Sequence, residues 1–239
     1  MDRDIRRRWR GRTTCWLALA MAGLAALPAQ AQCTVERLQG GVTWQRADGR
    51  TQPLRLGQRL VAGDEVRTAA KGRVRLRCAD GSSLTMANQS LMRIERFDAA
   101  PGQARWASFW LKLGLIGQTV SPSPGGRWQV RTPTAVTAVR GTAYLVEVRA
   151  DQGTDVQVTE GEVAVAPLNP VGDAVAAGAG SAPPSGDPSE AYASKALVGV
   201  VPALVLSAAQ PGLRCGVAQC LPEAHDPQRL KAWQMRLGW

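Results

Sequence analysis

An all-β fold is what this sequence predicts, and three observations predict it. Val74, Leu76 and Cys78 alternate with Arg73, Arg75 and Arg77, the period of a strand with one apolar face. The alternation returns in Tyr144, Val146 and Val148, interleaved with Leu145, Glu147 and Arg149. Turn signals punctuate these runs: Asp80-Gly81 leads into Leu84 and Met86, and Glu160-Gly161 separates Val156 and Val158 from Val163 and Val165. Glycine tolerates positive φ at such corners, and aspartate can bond to the backbone that follows it.

Taken from the N-terminus, the first element is an export leader, residues 1–31. Arg6, Arg7, Arg8, Arg10 and Arg12 form its basic start, Cys15 to Leu27 its apolar stretch, and Pro28-Ala29-Gln30-Ala31 its small-residue cleavage pattern. The apolar stretch, about thirteen residues, falls short of the roughly twenty that cross a bilayer. Cleavage is therefore expected, with an uncleaved anchor as the alternative. Export places the remaining chain in the periplasm or outside the cell, with no integral membrane span.

Residues 32–168 form the β-domain. Within it, Arg105 to Gly117 has a helix-like apolar content, but Gly114, Gly117 and the following Val120 indicate extended structure. Ser121 to Gly126 is a loop, and Val66-Arg67-Thr68 is echoed by Val130-Arg131-Thr132. Residues 169–190, rich in Gly, Ala, Pro and Ser, are read as a flexible linker. Residues 191–239 supply a strand from the Leu197–Ala209 run and a short C-terminal helix. Asp226 is its N-cap, Pro227 its first residue, and Leu230, Trp233 and Leu237 its apolar side.

Of the chain's 5 cysteines, Cys15 falls in the leader, and Cys33, Cys78, Cys215 and Cys220 remain. An exported chain with an even number is expected to form disulfides. The expected pairs are Cys33–Cys78 and Cys215–Cys220, which the loop-entropy model credits with about 4 and about 2 kcal/mol. A zinc site is a poor match to Cys-x4-Cys with the lone His225. No metal or cofactor is expected.

Several pieces, in order, carry a family resemblance: Gly41-Val42, Gly63-Asp64, Thr68, Asp80-Gly81-Ser82, Thr132-Pro133, Arg140-Gly141-Thr142 and Glu160-Gly161-Glu162-Val163. Over residues 40–167 the chain resembles a FecR domain. The resemblance implies a compact roll or short β-solenoid used for protein interaction or ligand sensing. In the family's best-known members the domain is the periplasmic part of a transmembrane regulator of a sigma factor. Only about a dozen residues precede the apolar stretch here, too few for a folded domain on the scale of about 50 residues or more. The resemblance is therefore to a stand-alone exported FecR-domain protein without the cytoplasmic anti-sigma domain.

Catalytic patterns find no support. The chain has 1 His, lacks a Gly-x-Ser-x-Gly elbow, and sets Asp64 beside Glu65, where a strand points them to opposite faces. The net charge of +10 is lowered by loss of the leader's arginines but stays basic. Nucleic acid is not expected in that compartment. An envelope protein partner is the first expectation, and peptidoglycan or another anionic glycan the alternative. Candidate contact residues are Arg73, Arg75 and Arg77 on one strand face, with Trp106 and Trp110; Trp44 and Trp128 are assigned to the core. Arg140 is either an anion contact or the partner of Asp64 or Asp80 at a tight corner.

Overall fold

A computed structural model describes residues 33–99, 104–168, 204–208, 210–216, 219–224 and 226–238. The leader and the linker lie outside the described residues. The strands are β1 (Cys33–Gln39), β2 (Val42–Gln45), β3 (Thr51–Pro53), β4 (Arg59–Leu60), β5 (Glu65–Thr68) and β6 (Arg73–Cys78). After them come β7 (Ser83–Met86), β8 (Leu91–Asp98), β9 (Trp106–Thr119), β10 (Arg127–Arg131), β11 (Ala135–Val139) and β12 (Ala143–Val148). The last are β13 (Thr154–Glu160), β14 (Glu162–Pro167), β15 (Leu204–Ser207), β16 (Leu213–Cys215) and β17 (Cys220–Pro222), followed by the helix α1 (Pro227–Leu237).

Pairing sorts the strands into two layers joined through β9. The first sheet runs β4-β1-β6-β7-β9-β12-β13-β16-β17. The second runs β3-β2-β5-β8-β9-β10-β11-β14-β15. Among the described strands only β9 and β10 pair in parallel. The N-terminal half of β9 lies in the second sheet and its C-terminal half in the first. Gly114, at φ 89°, is where the strand passes from one layer to the other. A Cβ there would stand 2.3 Å from Ser90 Oγ and 2.6 Å from its Cα, so only glycine fits.

Tight corners carry the chain back and forth between layers. Gly161 separates β13 from β14 without making a hairpin of them: β13 pairs in the first sheet and β14 in the second. The Arg140–Thr142 segment likewise links β11 in the second sheet to β12 in the first. The compact all-β roll expected from the resemblance is met. Val66 and Val130 are both fully buried in the second sheet, each followed by a threonine whose hydroxyl bonds a backbone carbonyl. The sequence echo thus marks two strands of one layer.

A single core fills the space between the sheets. Trp128 is fully buried, its ring 4.8 Å from Phe109 and 6.3 Å from Phe97, and Trp44 is also buried. Trp128 Nε1 donates to Gln118 Oε1 at 2.6 Å, which removes the cost of enclosing the indole N–H. A smaller cluster sits on the outer side of the first sheet, where Ala87, Leu115 and Leu145 meet Trp233 and Leu237 of α1. The helix forms as its sequence dictates. Asp226 accepts from the backbone N–H of Gln228 and Arg229, Pro227 opens the first turn, and Gly238 closes the last in a left-handed conformation.

Cys33 is joined to Cys78 and Cys215 to Cys220. Each pair sits directly opposite in strand register, β1 against β6 and β16 against β17. Among the described residues no helix is long and apolar enough to cross a membrane.

Candidate functional site

The turn residues singled out by sequence stabilise corners. Asp64 Oδ2 accepts the backbone N–H of Val61 at 2.9 Å. Asp80 accepts from the Ser82 N–H at 3.0 Å and from its hydroxyl at 2.6 Å, with Gly81 between them at φ 84°. Thr142 donates its hydroxyl to Glu162 O at 2.8 Å, which ties the Arg140-Gly141 corner to the one at Gly161. Gly63 sits in the bend before β5, its N–H bonded to Ile94 O at 2.7 Å.

The two carboxylates named as candidate partners of Arg140 have contacts of their own. Asp80 is held by Arg105, whose Nη1 lies 2.6 Å from Asp80 Oδ2 and 2.8 Å from Ser121 O. Asp64 is engaged by backbone. Arg105 escaped the sequence reading because its partner lies far off in the chain, and nothing local marks it. It is buried, with its guanidinium carbon 5.4 Å from the Trp128 ring centroid.

Arg73, Arg75 and Arg77 do not share a surface with Trp106 and Trp110. The arginines alternate with core residues of β6 and so stand on the outer side of the first sheet. The tryptophans alternate with Ala107, Phe109 and Leu111 and stand on the outer side of the second. Nor is the arginine row an open basic strip. Glu36 bridges Arg75 at 3.1 Å and Arg77 at 3.4 Å, and Arg73 Nη2 donates to Met235 O at the end of α1.

The tryptophan face has its own cations, supplied by neighbouring strands. Trp106 is 37% exposed, the most open tryptophan among the described residues. The guanidinium of Arg96 on β8 lies 3.8 Å from its ring centroid, and that of Arg127 on β10 lies 5.5 Å away. One turn of the pleat further along, Trp110 stands opposite Arg93 of β8 and Arg131 of β10 in register. Lys112 Nζ sits 4.9 Å from the Trp110 ring. Carboxylates are interleaved: Glu65 takes Lys112 at 2.6 Å, Glu95 takes Arg131 at 3.1 Å and the Ser108 hydroxyl at 2.8 Å, and Asp98 pairs with Arg96. Each cation–π contact contributes about 0.5–1 kcal/mol at an exposed site. Their larger effect is to fix the indoles in one orientation before anything binds, which lowers the ordering cost of association.

Sequence reasoning also missed the acid–base cluster that seats α1. Asp155 is buried and receives Arg149 at 2.9 Å, Arg214 at 2.9 Å, and Arg229 of the helix. Glu147 accepts from Trp233 Nε1 at 2.9 Å and pairs with Arg236. These partners come from β12, β13, β16 and α1, a grouping that only the fold creates. Among the described residues no group of three or more His, Cys, Asp or Glu side chains is arranged to hold a metal ion.

The described residues thus form a two-layer β-scaffold with an aromatic and cationic outer face on its second sheet. Residues 64–164 match the family model described as FecR protein. Two solved structures of a protein proposed to be an anti-sigma factor from Parabacteroides distasonis are similar to it. One has 17% identity and a TM-score of 0.47, the other 16% and 0.48, each covering 71% of this chain. This chain spans 63% of the length of those chains. A structure described as a cell surface anchoring domain covers 27% of this chain, and 84% of its own length, at 28% identity with a TM-score of 0.26. No curated protein matches the chain.

Proposed function

We propose that this is an exported, non-catalytic adaptor or sensor module that works by binding a protein partner in the cell envelope. The observation that carries the reading is the outer face of the second sheet, where Trp106 is held between Arg96 and Arg127 on a rigid strand ladder. Tryptophan and arginine are the residues that most often dominate the energy of protein interfaces. The family's regulatory character and the basic export leader agree with it, as do two disulfides.

Charge pattern separates this reading from the glycan alternative. A polyanionic glycan would meet Glu65, Glu95 and Asp98 set among the cations of the same face. A protein surface carrying both signs can match them, which gives specificity. On the opposite side, Glu36 and the helix end already engage Arg73, Arg75 and Arg77.

The test is site-specific photocrosslinking in intact cells, with a benzophenone amino acid at Trp106 and, as a control, at the exposed Leu221. A discrete adduct from position 106 that is absent from position 221 and lost on Arg127→Glu is the expected result. Cosedimentation of the exported chain with purified peptidoglycan, abolished by Trp106→Ala, would instead establish the glycan reading and overturn the protein one.

A further inference from the structure

The two most exposed large apolar side chains among the described residues both stand on the outer side of the first sheet. Leu56 is 67% exposed and Met235 62%. Leu56 lies on the rim of a groove between β1, β6 and the end of α1, where Leu237 and Gly238 form the opposite wall. Met235 points away from the sheet, because Leu230, Trp233 and Leu237 occupy the side of α1 that faces it. Neither projection is loose. The turn from Arg55 to Gln58 closes with Gln58 N–H on Arg55 O at 3.1 Å, with Gly57 at φ 74°. Two bonds of 2.9 Å stitch that turn to β1, Gly57 N–H on Val35 O and Val35 N–H on Gln58 O. Met235 O in turn accepts from Arg73 Nη2 at 3.1 Å.

Cations surround both projections. Arg55 precedes Leu56 in the turn, and strand register puts Arg59 of β4 in one row with Thr34 of β1 and Arg77 of β6. Arg37 is exposed on β1, and Lys231 is exposed one helical turn before Met235 on the same side of α1. Glu36 is engaged by Arg75 and Arg77, and among the described residues no carboxylate pairs with Arg37, Arg55, Arg59 or Lys231. The far half of this outer side differs, since Glu147, Asp155 and Glu223 are matched there by Arg149, Arg214, Arg229 and Arg236. Positive surplus is thus gathered at the end that carries Leu56 and Met235.

We infer that this end of the first sheet docks on an anionic lipid surface. Leu56 and Met235 enter the boundary between headgroups and acyl chains, while Arg37, Arg55, Arg59 and Lys231 meet the lipid phosphates. A hydrated anionic glycan would suit the cations equally, but it offers the two apolar side chains nothing to enter. With two short projections the contact is weak and reversible. The inference does not depend on the tryptophan face, which lies on the other sheet and stays open to a protein partner while the chain is docked.

The test is cosedimentation of the exported chain, residues 32–239, with vesicles of phosphatidylglycerol or of phosphatidylcholine. It is run in about 150 mM salt, where surface fields reach only about 8 Å. Saturable binding to phosphatidylglycerol and none to phosphatidylcholine is expected. Leu56→Ser/Met235→Ser, a pair of exposed substitutions that leaves the core intact, should weaken binding about tenfold or more by withdrawing the inserted side chains. Arg55→Ser/Arg59→Ser should also weaken it about tenfold or more. Arg46→Ser/Arg67→Ser removes the same charge from the second-sheet side and should change it by no more than about twofold. Absence of binding to phosphatidylglycerol overturns the inference. Equal losses in the two arginine pairs overturn it too, because they mark unspecific adsorption of a basic chain. Binding unchanged in Leu56→Ser/Met235→Ser excludes insertion and has the same consequence. So does sedimentation with purified peptidoglycan that needs Arg55 and Arg59 but neither Leu56 nor Met235, which would assign the surface to glycan. The crosslinking result at Trp106 concerns the other sheet and has no bearing on these readouts.

Discussion

Replacing Arg105 with alanine should cost this domain a large share of its stability. The Arg105 and Asp80 side chains are 2% and 9% exposed, so neither is screened by water to any extent. Asp80 braces the β6–β7 turn through Ser82, and Arg105 ties that turn to Ser121 at the far end of β9. Ser121 N–H closes the ring by donating to the Ser82 hydroxyl at 3.0 Å. Removing the guanidinium leaves a buried carboxylate with only the Ser82 donors, and breaking such a pair from one side costs about 3–5 kcal/mol. With a urea slope of about 2 kcal/mol per molar, the unfolding midpoint should fall by about 2 M. Asp80→Ala should cost a similar amount, because it strands the guanidinium. The double variant should cost less than the two singles together, by about 1–3 kcal/mol, since contacting residues couple. Urea unfolding followed by tryptophan fluorescence measures all three. A loss below about 1 kcal/mol for Arg105→Ala, or singles that add to within about 0.5 kcal/mol, would refute the brace.

Four further outcomes follow from the same geometry. Trp233→Ala should cost about 3–5 kcal/mol by emptying the pocket over Leu115 and Leu145, and hydrogen exchange should show α1 released while the two-sheet core stays protected. Opening the Cys33–Cys78 bridge, whose cysteines are 45 residues apart, should destabilise by about 4 kcal/mol in a comparison of Cys33→Ala/Cys78→Ala with the parent by urea unfolding. Asp151 is held below its usual range by hydrogen bonds from Arg149 and the Gly153 N–H. It therefore contributes stability above its unfolded pKa that is lost as pH falls through the lower folded value, and carboxyl NMR should show that titration moving back up in Arg149→Ala. Gly114→Ala should cost about 2–3 kcal/mol, measured by thermal unfolding, because the new Cβ meets Ser90 in a left-handed backbone conformation.

How far the sequence could be read depends on the range of the interactions involved. Period-two alternation identified β6 and β12, and Asp226-Pro227 marked out α1, because those signals are local. Gly114 within Trp106–Thr119 spoke for extended structure over a helix, and the strand turned out to bend there. Alternation says which side of a strand is apolar, but not which sheet the strand joins. That is why Arg73, Arg75 and Arg77 fit one surface with Trp106 and Trp110 in the sequence and stand on opposite sides of the fold. The Glu160-Gly161 turn had the same ambiguity: a hairpin and a step between layers share one local signature. The Arg105–Asp80 brace and the Asp155 cluster join segments from distant parts of the chain, and no spacing rule connects them.

The location of the family match also bears on where function resides. Its span, residues 64–164, contains Asp64, Asp80, Gly81, Gly141 and Thr142, and their observed contacts hold corners between the two layers. Residues that fix corners specify a scaffold, and binding chemistry is carried by surfaces set upon it. The groove on the first sheet illustrates the division. Arg75 and Thr85 come from matched strands, but Arg37, Leu38 and Leu56 precede the matched span, and Leu237 and Gly238 follow it. Two segments outside the match thus border a groove on a sheet inside it, each fastened there by its own device. The Cys33–Cys78 bond secures β1, and the Asp155 and Glu147 ion pairs secure α1. The composition of that groove is therefore a property of this chain more than of the family, because most of its lining lies outside the match.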